Sequence, residues 1–260
     1  MKVPILTRSP LKACLTVLKF SSIELMGESY IPLIQDRYRK EGLPVFEIRR
    51  VEELSPVGEK EKQTLWLFSD FNKSNMVIIG KGSFGYQTFN YNHFNDFQDK
   101  LLLYFEIFAQ LTEFYRHNIL EFIGLRYINA IEGEKWRLYL TEPYRGINFP
   151  EGVLDARFYE FHALYAQGTT SIGSEHRGSL VIKTLQNNEG LLFPPDILLL
   201  EQQTEKKGNL VTVLDIDHFS LLKTNLSDSS FVRTMSSTLH EACEKVFFNA
   251  ITEEALRLWS

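Results

Sequence analysis

The stretch Glu121-Phe122-Ile123-Gly124-Leu125-Arg126-Tyr127-Ile128-Asn129-Ala130-Ile131 decides how the rest of the chain is read. It follows the most apolar helical pattern in the sequence and reads as the first strand of a second pass through the fold. Alternation places Phe122, Arg126 and Ile128 on one face of that strand and Tyr127 with Asn129 on the other. An arginine on an apolar face calls for an anionic partner. Asp215 and Asp217 supply one, two apart in the strand candidate Asn209 to Phe219 and sharing a face with Val211, Val213 and Phe219. The preferred reading is a structural Arg–Asp pair joining central strands, since a guanidinium donates two parallel bonds to one carboxylate. The alternative is a pair of catalytic carboxylates, Asp215 and Asp217, binding a divalent metal or doing acid–base work. Asn129 is expected to bond strand-end backbone.

Working outward, the first half runs strand (Leu11 to Phe20), helix (Ile23 to Glu41, interrupted by Pro32 and capped by Ser21-Ser22), four strands, helix. The four strands are Val45 to Leu54, Thr64 to Phe71, Met76 to Ile79 and Phe84 to Tyr91. The helix, His93 to His117 with Asn92 or Asn95 as its cap, carries one broad apolar stripe. After Leu120 to Ile131 come a short strand at Trp136 to Leu140 and one helical turn within Pro143 to Gly152. Four more strand candidates follow, at Arg157 to Ala166, Gly178 to Gln186, Asp196 to Thr204 and Asn209 to Phe219. A long helix from Phe231 to Phe247, behind a Ser227-Asp228-Ser229-Ser230 cap, and a helical tail, Thr252 to Trp259, close the chain. The expected fold is α+β: two pseudo-repeats of order β-α-β4-α, residues 1–118 and 119–260, forming antiparallel curved sheet backed by helices and packed as one unit. The TATA-box-binding fold has this element order; a helix-grip fold is the competing layout.

Composition narrows the function. The 260 residues are 44% hydrophobic and 23% charged, with 20 Phe and 11 Tyr, an ordinary globular balance with a large aromatic core. A net charge of −5 argues against nucleic acid, which calls for a basic footprint. Cys14 and Cys243 read as two buried thiols in a reducing compartment. No signal peptide and no apolar run long enough to span a bilayer is evident, so the expectation is a cytoplasmic protein with no membrane partner.

Gly124-Leu125-Arg126-Tyr127-Ile128-Asn129, Leu214-Asp215-Ile216-Asp217-His218-Phe219 and the closing His240-Glu241-Ala242, Val246-Phe247 and Ala250-Ile251-Thr252-Glu253-Glu254-Ala255-Leu256 together resemble a patchily distributed prokaryotic family of uncharacterised proteins of similar length. The resemblance covers most of the chain. It carries no assigned catalytic residues. The family's scattered occurrence implies mobile or accessory genes, and antiviral defence is one setting that fits.

Other motifs have plain readings. Gly80-Lys81-Gly82-Ser83-Phe84-Gly85 matches GxGxxG, but no helix, catalytic loop or metal motif follows it, so it reads as a hairpin turn with glycine at positive φ. His240 and Glu244 stand four apart beside Cys243, a spacing that can chelate zinc, yet no third ligand is announced. The polar segment Gln167 to Arg177 reads as a long loop. No complete catalytic, metal or cofactor motif is present, and no cofactor is expected. The reading is a non-enzymatic module that binds a protein partner, encoded nearby, as sensor or adaptor in a defence or toxin–antitoxin system. A metal-dependent hydrolase or nuclease at Asp215 and Asp217, and nucleic-acid binding on a concave sheet, are the alternatives. Binding through Arg126, Tyr127, Asn129, Asp215 and Asp217, and the oligomeric state, stay open.

Overall fold

The computed structural model describes residues 6–54, 60–133, 135–145, 160–172, 176–187, 193, 197 and 210–260. Its centre is a pair of antiparallel strands, β1 (Leu11–Phe20) and β6 (Ile119–Glu132). Outward from β1 lie β5 (Ser83–Thr88), β4 (Asn75–Gly80), β3 (Lys60–Ser69) and β2 (Val45–Leu54). Outward from β6 lie β9 (Val211–Asn225), β8 (His176–Asn187) and β7 (Glu160–Ile172). The order β2-β3-β4-β5-β1-β6-β9-β8-β7 makes one nine-stranded sheet in which every neighbouring pair is antiparallel.

Helices cover one face: α1 (Ile31–Lys40), α2 (Phe94–Leu111), the short α3 (Phe114–His117) and α4 (Trp136–Tyr139), α5 (Ser230–Ala250) and α6 (Glu253–Trp259). Alternation sends Cys14, Leu18 and Phe20 of β1, Ile123, Leu125 and Tyr127 of β6, and Leu214 and Ile216 of β9 into the main core beneath α2 and α5. Phe20, Phe105, Phe108 and Phe114 pack there ring against ring, with Phe114 edge-on to Phe20 at 5.0 Å. Gln98 of α2 ties the two long helices together, its amide Nε2 lying 2.8–3.0 Å from the Arg233 carbonyl and the Ser236 and Ser237 hydroxyls, with its two protons shared among them. On the opposite face a smaller core gathers Ala13, Ile128, Ala130, Leu185, Val211 and Val213 under Ile197.

The α+β class with a large antiparallel sheet backed by helices matches the expectation. The doubled order does not appear as written: among the described residues three strands, not four, follow β6 and α4, and Asp196 to Thr204, apart from Ile197, lies outside them. Trp136 to Leu140 is a helical turn rather than a strand, because only Ile251 bridges to Leu140 and a ladder cannot extend. The backbone bonds internally instead, Leu138 N–H to Lys135 and Leu140 N–H to Trp136. Gln167 to Arg177 is not a loop: its described residues extend the β7–β8 hairpin, pairing Gln167 with Val181 through Ile172 with His176. Polar Ser and Thr conceal strand character, which their β-propensity permits.

Helix ends differ as well. The first helix opens with a π-helical turn, Met26–Tyr30, and Pro32 sits in the first turn of α1, where its missing N–H costs nothing. Ser21 caps no helix; its hydroxyl accepts from the Ile119 N–H and from the Asn118 amide, pinning the start of β6. His93, not an asparagine, precedes α2. The stripe from His93 to His117 is broken at Glu113, whose φ of 51° is left-handed, and the break lets Phe114 turn into the core. The Lys81-Gly82 turn joins β4 to β5 as a hairpin, but neither Gly80 nor Gly82 is at positive φ. Gly82 is needed for close approach: a Cβ there would lie 3.0 Å from the Phe20 carbonyl oxygen.

Candidate functional site

Adjacent residues of β6 build two different polar arrangements. Arg126 points to the face opposite the helices. Its Nε and Nη2 donate to the two carboxylate oxygens of Asp215 at 2.8 and 2.7 Å, across the β6–β9 pair. Both side chains are largely buried, so the charges are compensated by bidentate geometry rather than by water. Asp217 stands directly across from Arg126 in the register, and Lys183 of β8 directly across from Asp215. Both oxygens of Asp215 are thus engaged by a guanidinium. Among the described residues no group of three or more His, Cys, Asp or Glu side chains is placed to hold a metal ion.

Tyr127 points the other way, into a cavity of about 220 Å³ between the start of β1, the end of β6, the approach to α2 and the middle of α5. Its walls are Leu6, Leu11, Tyr91, Phe94, Phe247 and Phe248, and its polar groups come from Ser9, Asn92, His93, Tyr127, Asn129, His240 and Glu244. The Tyr127 hydroxyl is 2.9 Å from His240 Nδ1. The His240 ring stacks on Phe94, with centroids 3.9 Å apart and planes 11° from parallel. On its other nitrogen, Nε2 faces Glu244 Oε1 at 3.8 Å, too far for a direct hydrogen bond. Asn129 donates to the Leu214 carbonyl at 3.3 Å, as expected of a strand-end amide, and its side chain also lines the cavity.

Burial sets the protonation states. Desolvation pulls His240 down to about 4, so the imidazole is neutral at pH 7. The neutral ring accepts the Tyr127 O–H at Nδ1 and carries its own proton on Nε2, toward the Glu244 carboxylate; this tautomer follows from the two partners. Burial pushes the Tyr91 and Tyr127 phenols upward, and the Cys14 and Cys243 thiols with them. Burial, reinforced by Glu241, also raises Glu244. His218, on the helix-covered side of β9, lies outside the cavity lining and bonds the Leu239 carbonyl through Nδ1 at 3.3 Å.

The structure therefore separates the expected site residues. Arg126 joins Asp215 on one face; Tyr127 and Asn129 join His240, Cys243 and Glu244 on the other. Tyr91, Phe94 and Phe248 complete the cavity; Tyr91 reads as a strand end and Phe94 as part of a helix stripe, and Phe248 lies one residue past the stripe read for the last long helix. The one hint was the run Tyr91-Asn92-His93, polar and aromatic together at a helix entrance. Comparison with models of known protein families, with curated proteins and with solved structures finds no match.

Proposed function

We propose that this chain is a non-enzymatic binding module whose cavity takes a small, uncharged ligand containing a planar ring. The observation that carries this reading is a walled aromatic cavity whose buried ionisable groups, Tyr91, Tyr127, His240 and Cys243, are all shifted by burial toward their neutral forms, with only the exposed His93 and the half-buried Glu244 set apart from them. Catalysis asks for a base poised near neutrality or a thiolate, and these shifts run the other way. Apolar walls with a few convergent polar groups are what a small-molecule site requires. A cavity of about 220 Å³ exceeds the about 150 Å³ that accommodates benzene, which points to a bicyclic ring. The Nε2–H of His240 and the carboxylate of Glu244 offer one donor and one acceptor to the edge of that ring.

Thermal denaturation with indole as the probe tests this. Indole raises the melting temperature of the wild type, and Ser9→Trp, an exposed substitution at the cavity mouth, removes the effect while folding normally. No shift from indole or other neutral bicyclic probes at millimolar concentration refutes the reading.

Docking of a protein partner on the opposite face is a second reading, in keeping with a sensor or adaptor role. It is favoured by Leu221, 74% exposed, beside the stacked pair Phe122 and Phe219 at 5.4 Å. A partner that co-purifies from the native host and is lost with Leu221→Asp supports it; equal recovery with both proteins counts against it. The mirrored strand order on either side of β1 and β6 supports two related halves. Metal-dependent hydrolysis at Asp215 and Asp217 is the weaker reading, because Arg126 occupies both oxygens of Asp215. Nucleic-acid binding has the net charge of −5 against it. No helix among the described residues is long and apolar enough to cross a membrane.

A further inference from the structure

Beside the aromatic cavity lies a second one of about 250 Å³, and Tyr91 and Asn92 line both. Tyr91 stands where the two adjoin. Its ring meets Tyr127 edge-on at 5.8 Å on the side of the first cavity and Phe97 at 6.3 Å on the side of the second. The first cavity is aromatic. The second is the more polar of the two, with the exposed Asn90, Asn92 and Asp96 on its outer wall, Asn75 and Thr88 deeper, and the rings of Tyr86 and Phe97 beside them. The deeper part is fixed internally: Asn75 Oδ1 accepts from the Tyr86 hydroxyl at 2.8 Å and the Thr88 hydroxyl at 3.1 Å.

We infer that the ligand is bipartite, a planar ring in the aromatic cavity joined to a hydroxylated, sugar-sized portion in the polar one, as in a nucleoside or an aryl glycoside. This rests on the ring-binding reading above and adds what the ring carries. The polar wall mixes side-chain amides with a carboxylate, so it offers donors and acceptors side by side. Hydroxyl groups both donate and accept, and are the groups such a wall satisfies. An ammonium can pair with Asp96 but accepts nothing, so it leaves the amide N–H donors of Asn90 and Asn92 unanswered. A phosphate donates nothing and meets the Asp96 carboxylate, while Asp99 is already paired with Arg233 at 3.5 Å. The two cavities are of similar size, about 220 and 250 Å³, which matches one ring and one sugar rather than a ring with a short substituent.

Calorimetric titration of the full chain tests it with three pairs: adenosine against adenine, uridine against uracil, and phenyl glucoside against phenol. The expected result is that at least one glycosylated member binds tenfold or more tightly than its bare ring. Which pair shows the gain distinguishes a nucleoside from an aryl glycoside. Addition of a 5′-phosphate to the preferred nucleoside weakens binding. In the double variant Asn90→Ala with Asp96→Ala, the gain from the sugar vanishes while affinity for the bare ring stays unchanged. Bare rings that bind as tightly as all their glycosylated partners overturn the bipartite ligand and leave the ring site standing. Failure of bare rings, glycosylated rings and indole alike overturns both.

Discussion

The two faces of β6 handle buried polarity in opposite ways. On one, Arg126 keeps its charge and is matched by the carboxylate of Asp215. On the other, Tyr127, the next residue along β6, meets His240 of α5, and burial between strand and helix favours the neutral form of both. A bidentate ion pair engages both carboxylate oxygens of Asp215 and fixes the register of β6 against β9. A neutral cluster around a cavity keeps donors and acceptors in reserve. The first arrangement is suited to holding the sheet together, the second to receiving a ligand.

The sharpest way to break this contrast is on the charged face. Asp215→Ala leaves a buried guanidinium without its bidentate partner and is expected to destabilise the fold by about 3–5 kcal/mol in urea denaturation. The double replacement Arg126→Met with Asp215→Leu is expected to recover most of that loss, because removing both charges together abolishes the desolvation cost. If the double variant is as unstable as the single one, the pair does more than compensate charge.

On the neutral face the test is pH. The folded-state pKa of His240 is lowered to about 4 from an ordinary 6.5, so the unfolded chain binds the proton more readily in that interval. Stability then rises with pH between about 4 and 6.5, and the cost of acidification attributable to this ring is up to about 3 kcal/mol. His218, also lowered by burial, acts in the same direction. Glu244 is raised, so its contribution is present below its ordinary value and lost as pH climbs. Comparison of the wild type with His240→Asn isolates the imidazole: the variant is expected to lose less stability between pH 7 and pH 4. Parallel curves would mean that the ring is solvated.

Two smaller effects sharpen the same comparison. Tyr127→Phe removes the hydroxyl partner of His240 Nδ1 and is expected to cost about 1–2 kcal/mol. It should also raise the pH at which the ring titrates. Gly124→Ala, on the charged face, places a Cβ 3.0 Å from the Phe122 ring and 3.2 Å from Phe219 Cβ, and should cost about 1 kcal/mol as that stacked pair shifts. Ring binding in the cavity should not change with it.

Much of the sheet was legible because alternation reports faces directly. β1, β2 and β6 fall within a residue of their expected bounds, and the segregation of Arg126 from Tyr127 follows from period 2 alone. Helix ends were not legible. Glu113 carries no Gly or Pro to announce its left-handed backbone, and Ser21 looked like a cap until β6 came alongside to use its hydroxyl. The hairpin through Gln167 to Ile172 was hidden by polar composition. Half the cavity was visible as residues without a place: Tyr127, Asn129, His240 and Glu244 each stood out, but only the packing of α5 against β6 brings them together. Tyr91 comes from the connection between β5 and α2, whose position no local pattern records, and Phe94 from the first residue of α2.

The most direct test is the proton NMR titration of the His240 imidazole, assigned by its loss in His240→Asn, with and without indole. The expected result is a ring that stays neutral down to about pH 4 and whose resonances shift when indole is added. A ring that titrates near 6.5 and ignores indole would contradict a neutral ligand cavity on the helix-covered face of β6.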